Sequence, residues 1–171
     1  LLPSIITFSY AQVISPNLFG QNHWMDRSDE GNRPGYVYML WPKVKESGIK
    51  TVRIGGAGYE RRLPERTKLA AIIDSIQGIG ADPILQVPSH YSAEQAAELV
   101  TFFNGNPKRK PIRYWSIGNE PLIRVRNDRE AMLKKIDEVY SFLTRLAPAM
   151  KTADPTIKIL VFDSEGLPID N

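Results

Sequence analysis

The sequence contains no cysteine, which excludes disulfides, thiolate metal sites and a cysteine nucleophile. It has two histidines, His23 and His90, too few for a His-rich metal centre. Asp26, Asp29 and Glu30 lack the spacing of a calcium loop and read as solvated. No G-x-G-x-x-G follows the first predicted strand and no Walker sequence occurs, which weakens any nucleotide-dependent reading. No apolar run is long enough to cross a bilayer. The net charge is only +3. Its basic clusters, Lys108 to Lys110 and Arg124, Arg126 and Arg129, lack the interleaved aromatics of a single-strand-binding surface. They read as a solvated face, and neither a nucleic acid nor a membrane is expected as partner.

What is present suits one globular domain: 171 residues, 42% hydrophobic and 24% charged, enough to bury a core. The opening LLPSIITFSYA has two readings. An apolar run ending Ser9-Tyr10-Ala11 resembles the back half of a secretory signal peptide, cleaved after Ala11. Equally, Ile5, Ile6, Thr7, Phe8 and Tyr10 suit a β-strand. On the first reading residues 1–11 are a signal remnant, residues 12–171 form the domain, and the mature protein is secreted or periplasmic.

Short apolar runs then alternate with helical patterns. Strands are expected at Leu18 to Asn22, Thr51 to Ile54, Pro83 to Val87, Arg113 to Ile117 and Ile157 to Phe162. Their apolar character suggests cover on both faces. Lys43 to Ser47 reads as the end of a helix stopped by Gly48. Lys68 to Gln77 places Leu69, Ile72, Ile73 and Ile76 on one helical face. Ser92 and Gln95 form a capping box for a helix ending near Phe103. Asn127, with Glu130 three residues on, is expected to cap the next helix. Its predicted buried face is Leu133, Ile136, Val139, Tyr140, Leu143 and Leu146, with Pro148 kinking or loosening it.

This rhythm predicts an α/β fold with a parallel sheet, either doubly wound or a (β/α)8 barrel. In a barrel the residues just past each strand's C-terminal end build the site. Those residues are Asn22, His23 and Trp24; Arg53; Ser89 and His90; Asn119 and Glu120; and Asp163 and Glu165. Tyr36, Tyr38 and Trp41 read mainly as packing residues. A glutamate sheltered at a barrel mouth favours its protonated form, which suits protonation of a glycosidic oxygen. Asn119 offers an amide to a sugar hydroxyl, and Pro121 restricts the backbone of Glu120.

YWSIGNEP, Tyr114 to Pro121, resembles the fourth-strand motif of the clan A glycoside hydrolases, retaining enzymes on (β/α)8 barrels. The resemblance implies that Glu120 is the general acid/base, with Asn119 beside it. TVRIGG resembles the clan's second-strand motif, and implies that Arg53 supports the catalytic carboxylates. His90 sits where many members contact substrate. AMKTADPTIKIL, Ala149 to Leu160, is similar to a passage of arabinofuranosidase-like members. The clan's nucleophile follows strand seven, whereas about five β/α units are countable here. The expectation is therefore the N-terminal part of a retaining glycoside hydrolase barrel, inactive and unstable by itself, acting on an oligo- or polysaccharide without metal or organic cofactor. The alternative is a non-catalytic carbohydrate-binding or scaffold protein on the same barrel. Neither reading fixes the sugar, the linkage, exo or endo action, or the oligomeric state.

Overall fold

A computed structural model describes residues 15–23, 40–125 and 127–161. Five strands form one sheet in the order of the chain: β1 (Gly20–His23), β2 (Thr51–Ile54), β3 (Asp82–Val87), β4 (Tyr114–Ile117) and β5 (Lys158–Leu160). Every pairing is parallel. Five helices accompany them: α1 (Trp41–Glu46), the single-turn α2 (Ala57–Arg61), α3 (Arg66–Gly78), α4 (Ala93–Asn104) and α5 (Arg129–Ala153). A doubly wound sheet reverses its strand order partway. This sheet never does, which is the topology of a barrel wall.

Strand parity divides the sheet into two unlike faces, because successive side chains point in opposite directions. The register rows His23–Ile54–Leu85–Trp115–Ile159 and Val87–Ile117 lie on one face. Ile54, Leu85, Trp115, Val87 and Ile117 are buried there in a single cluster with the apolar sides of α3, α4 and α5. The opposite face carries Asn22, Arg53, Gln86 and Ser116. That face also carries Ile84, Tyr114 and Leu160, so it mixes polar and apolar residues where the helix-covered face is largely apolar. Among the described residues the helical cover packs on the apolar face, and the mixed face is the one a barrel turns inward.

Local signals account for most boundaries. The apolar face read for α3 is buried at Leu69, Ile72, Ile73 and Ile76, and the capping box of α4 forms in both directions between Ser92 and Gln95. Gly48 adopts φ 79° behind α1. Asn104, closing α4, bonds both backbone groups of Ile112 and also Asp154, tying the entries to β4 and β5 together.

Three expectations change. β1 begins at Gly20 instead of Leu18, because Ser15 and Pro16 start a 3-10 helix over Pro16–Leu18. The cap of α5 is Asp128, whose side chain accepts from the Ala131 N–H, and not Asn127. Helix α5 is continuous through Pro148, which lies between the fully buried Leu146 and Met150. Its buried residues are Val139, Phe142, Leu146 and Met150. Leu133, Ile136 and Tyr140, assigned to the buried face, are 54%, 39% and 70% exposed. A helix of that length has more than one apolar stripe, and packing on α4 and β4 selects which one is covered. The signal-peptide or strand reading of residues 1–11, and Tyr36 and Tyr38, lie outside the described residues.

Candidate active site

The site forms at the C-terminal ends of β2, β3 and β4. β2 delivers Arg53, and Gly55 and Gly56 follow. There is no room for a side chain at Gly55, since a Cβ would lie 2.7 Å from both Arg53 Cζ and Gln86 Oε1. Gly56 takes φ 115°, a conformation that glycine adopts at low cost. The chain then turns into α2, which carries Glu60 back to the end of β3.

A continuous hydrogen-bonded chain results. Glu60 accepts from Gln86 Nε2 at 2.7 Å, from the Ser89 N–H at 2.9 Å and from the Ser89 hydroxyl. Gln86, fully buried in β3, accepts through Oε1 from Arg53 Nη2 at 3.0 Å and from the Gly56 N–H at 2.7 Å. Arg53 Nη2 also donates to Asn119 Oδ1 at 2.9 Å. Asn119 Nδ2 in turn donates to Glu120 Oε2 at 3.3 Å. Burial lowers Arg53 from the usual guanidinium range, and the negative charges of Glu120 and Glu60 oppose that shift. It stays a cation, as arginine does in proteins.

The turn after β4 places the acid. Gly118, at φ 74°, extends the β3–β4 pairing through its N–H to the Val87 carbonyl at 2.9 Å and fits against Phe142. Glu120 follows at φ 41°, the one non-glycine residue with positive φ among the described residues. Pro121 disfavours the right-handed helix for the residue before it. The left-handed alternative costs about 1–3 kcal/mol and persists only where surroundings enforce it, most often at functional sites. A cleft of about 1090 Å³ opens over this turn, with Glu60, Ser89, Asn119, Glu120, Arg124 and Lys134 in its wall.

The residues expected at the rim are distributed unequally. Arg53, Asn119 and Glu120 come together, and Asn22 pairs in register beside Arg53 on the same face. Glu120 is exposed among the described residues, not sheltered as its proposed chemistry had suggested. His23 does not face the rim. It is buried on the helix side, with Nδ1 2.9 Å from the Tyr59 hydroxyl and its ring stacked on Trp41. One step along a strand reverses the face, so Asn22 and His23 cannot share a role. Burial lowers the pKa of His23, against a smaller opposing effect of its own backbone hydrogen bond. His90 is exposed and edge-on to Tyr91, and none of its described contacts joins it to the Arg53 chain. Trp24, Asp163 and Glu165 lie outside the described residues.

Glu60 and Gln86 are the members that sequence reading missed, whereas Ser89 was expected at the rim after the third strand. A signal existed: a glutamine inside the apolar strand ILQV is a buried polar group that must find partners. Among the described residues no cluster of three or more metal-ligating side chains occurs, and no helix is long and apolar enough to cross a membrane.

No family model and no curated protein matches this sequence. Solved structures do. CelM2, a bifunctional glucanase-xylanase from a metagenome library, matches over 85% of this chain with a TM-score of 0.57 at 12% identity. Bacteroides uniformis β-glucuronidase 2, bound covalently to cyclophellitol-6-carboxylate aziridine, matches over 83% with a TM-score of 0.56 at 17% identity. This chain spans 41% and 17% of those two chains. Both neighbours are glycoside hydrolases, and at such identities the likeness is one of fold. The class defined is therefore an α/β fold of (β/α)8 type, represented here by five consecutive strands of the barrel.

Proposed function

We propose that this chain is the N-terminal part of a retaining glycoside hydrolase that cleaves O-glycosyl bonds of an oligo- or polysaccharide, with Glu120 as general acid/base. The observation that carries the reading is the Arg53–Asn119–Glu120 chain at the C-terminal ends of β2 and β4. It stands where barrel chemistry is done and ends in a carboxylate on strained backbone. Glu120 protonates the leaving oxygen and then takes a proton from water in the second step. Asn119, its Oδ1 held by Arg53, keeps Nδ2 for the sugar hydroxyl beside the reacting carbon. Substrate filling the cleft excludes water from Glu120. The nucleophile is a second carboxylate outside the described residues, about 5 Å from the first. The apolar opening of the chain supports export, which suits a polysaccharide substrate.

The test is Glu120→Gln in the full-length protein, assayed on aryl glycosides that include glucosides, xylosides and glucuronides. Loss of the proton donor should slow substrates with poor leaving groups by about 10²- to 10⁴-fold. Glycosides with activated leaving groups should lose much less in the first step, and added azide should trap a glycosyl azide. Equal loss on all leaving groups contradicts the acid/base role. Saccharide binding without turnover in the wild type turns the reading into that of a carbohydrate-binding protein.

A further inference from the structure

We infer that Glu60 is a positioning residue, which holds Gln86 and, through it, the Arg53 guanidinium that presents Asn119 to Glu120. This inference rests on the hydrolase reading for its catalytic consequence, but its geometry stands independently.

Three groups in the chain cannot change their hydrogen-bonding sense. An ionised carboxylate only accepts, and a guanidinium and a backbone N–H only donate. Gln86 lies between them. Glu60 takes its Nε2, so Oε1 faces the two obligate donors, Arg53 Nη2 and the Gly56 N–H. Arg53 then presents a second N–H to Asn119 and takes Oδ1. Only Nδ2 of Asn119 is left for Glu120 and the cleft. Arg53 thus fixes the sense at Asn119, and Glu60 on α2 anchors the Gln86 that holds Arg53, without reaching the reacting atoms through any described contact.

The anchor has to be a carboxylate. Ser89 N–H requires an acceptor from one oxygen and Gln86 Nε2 requires one from the other. A glutamine at position 60 has a single acceptor and opposes a donor to one of these two. The relief available is for Gln86 to turn over, which sets its NH2 against Arg53 and the Gly56 N–H. Two donors then oppose each other, which displaces the Arg53 guanidinium and with it the hold on Asn119 Oδ1.

The experiment is a double-mutant cycle in the full-length protein, using Glu60→Gln, Asn119→Ala and the pair, on an aryl glycoside with a poor leaving group. Glu60→Gln should lower kcat/KM by about 10- to 100-fold, the scale of a misplaced catalytic geometry. The pair should fall within about twofold of Asn119→Ala alone, because Glu60 acts through that amide. Losses that multiply mean that Glu60 merely supports the fold, and overturn the inference. If Glu60→Gln does not fold, Gln86→Met interrupts the same chain with no charge removed, and the same cycle applies. If the wild type hydrolyses no glycoside, the function proposed above fails while this inference is still decided. A crystal structure of the Glu60→Gln protein with Gln86 turned over or the Arg53–Asn119 bond broken sustains it, and both unchanged refute it.

Discussion

Gly55 offers the sharpest test of whether the site is packed as described. In Gly55→Ala the new methyl carbon lies 2.7 Å from Arg53 Cζ, 2.7 Å from Gln86 Oε1 and 2.9 Å from Arg53 Nε. Carbon contacts settle near 3.5–4.0 Å, so the neighbours must retreat by about 1 Å. Arginine ends often move freely, but this one is tied to Gln86 and Asn119, and Gln86 is fully buried with two further bonds, to the Gly56 N–H and Glu60. A shift of about 1 Å carries a 2.7–3.0 Å bond out of hydrogen-bonding range. One neutral bond and one bond to a charged group are then lost, about 2–4 kcal/mol in total. Replacing glycine also restricts the unfolded chain, which stabilises by about 0.4–1 kcal/mol and does not reverse the sign. Urea unfolding of the full-length protein reads the difference. At an m-value of about 2 kcal/mol/M the midpoint should fall by about 1–2 M. Activity should drop with it, since Arg53 leaves Asn119. An unchanged midpoint with unchanged activity refutes the close packing of Arg53, Gln86 and Gly55.

Two further outcomes follow from the same geometry. The unfolded chain protonates histidine near pH 6.5, whereas buried His23 resists protonation. Its contribution to stability is therefore complete above about pH 6.5 and is lost as pH falls below that value toward the lower native pKa. Unfolding of the wild type between pH 7.5 and 5 should show this slope, and His23→Gln should flatten it; parallel curves would contradict the buried placement. At the start of α5, Asp128→Ala should destabilise by about 1 kcal/mol through loss of the cap, while Asn127→Ala should change little. Thermal melts of the two variants distinguish the caps, and the reverse order would shift the helix start by a residue.

Much was legible because it is local. The buried stripe of α3 follows from Leu69, Ile72, Ile73 and Ile76 at helical spacing, and the α4 capping box needs only Ser92 and Gln95. The strand rhythm foretold a parallel α/β sheet, and Asn119-Glu120 after an apolar strand marked the candidate site. Arg53 could be singled out for the same reason, as a charge at a strand's end. These features depend on neighbours a few residues away, where sequence spacing and spatial spacing coincide.

The tertiary structure decided what depends on distant partners. Strand order separated a barrel from a doubly wound sheet, since both share one sequence rhythm and only pairing distinguishes them. Parity across the register put His23 in the core and Asn22 beside Arg53. For α5 the choice of buried stripe belonged to α4 and β4, which left Leu133 and Tyr140 outside. Glu60, Gln86 and Ser89 meet across 26 and 29 residues of chain, a distance over which no local pattern carries information. The sequence by itself determined the element rhythm and singled out Glu120 as a candidate; the fold alone determined which polar groups converge beside it, because a hydrogen bond depends on where the chain returns in space.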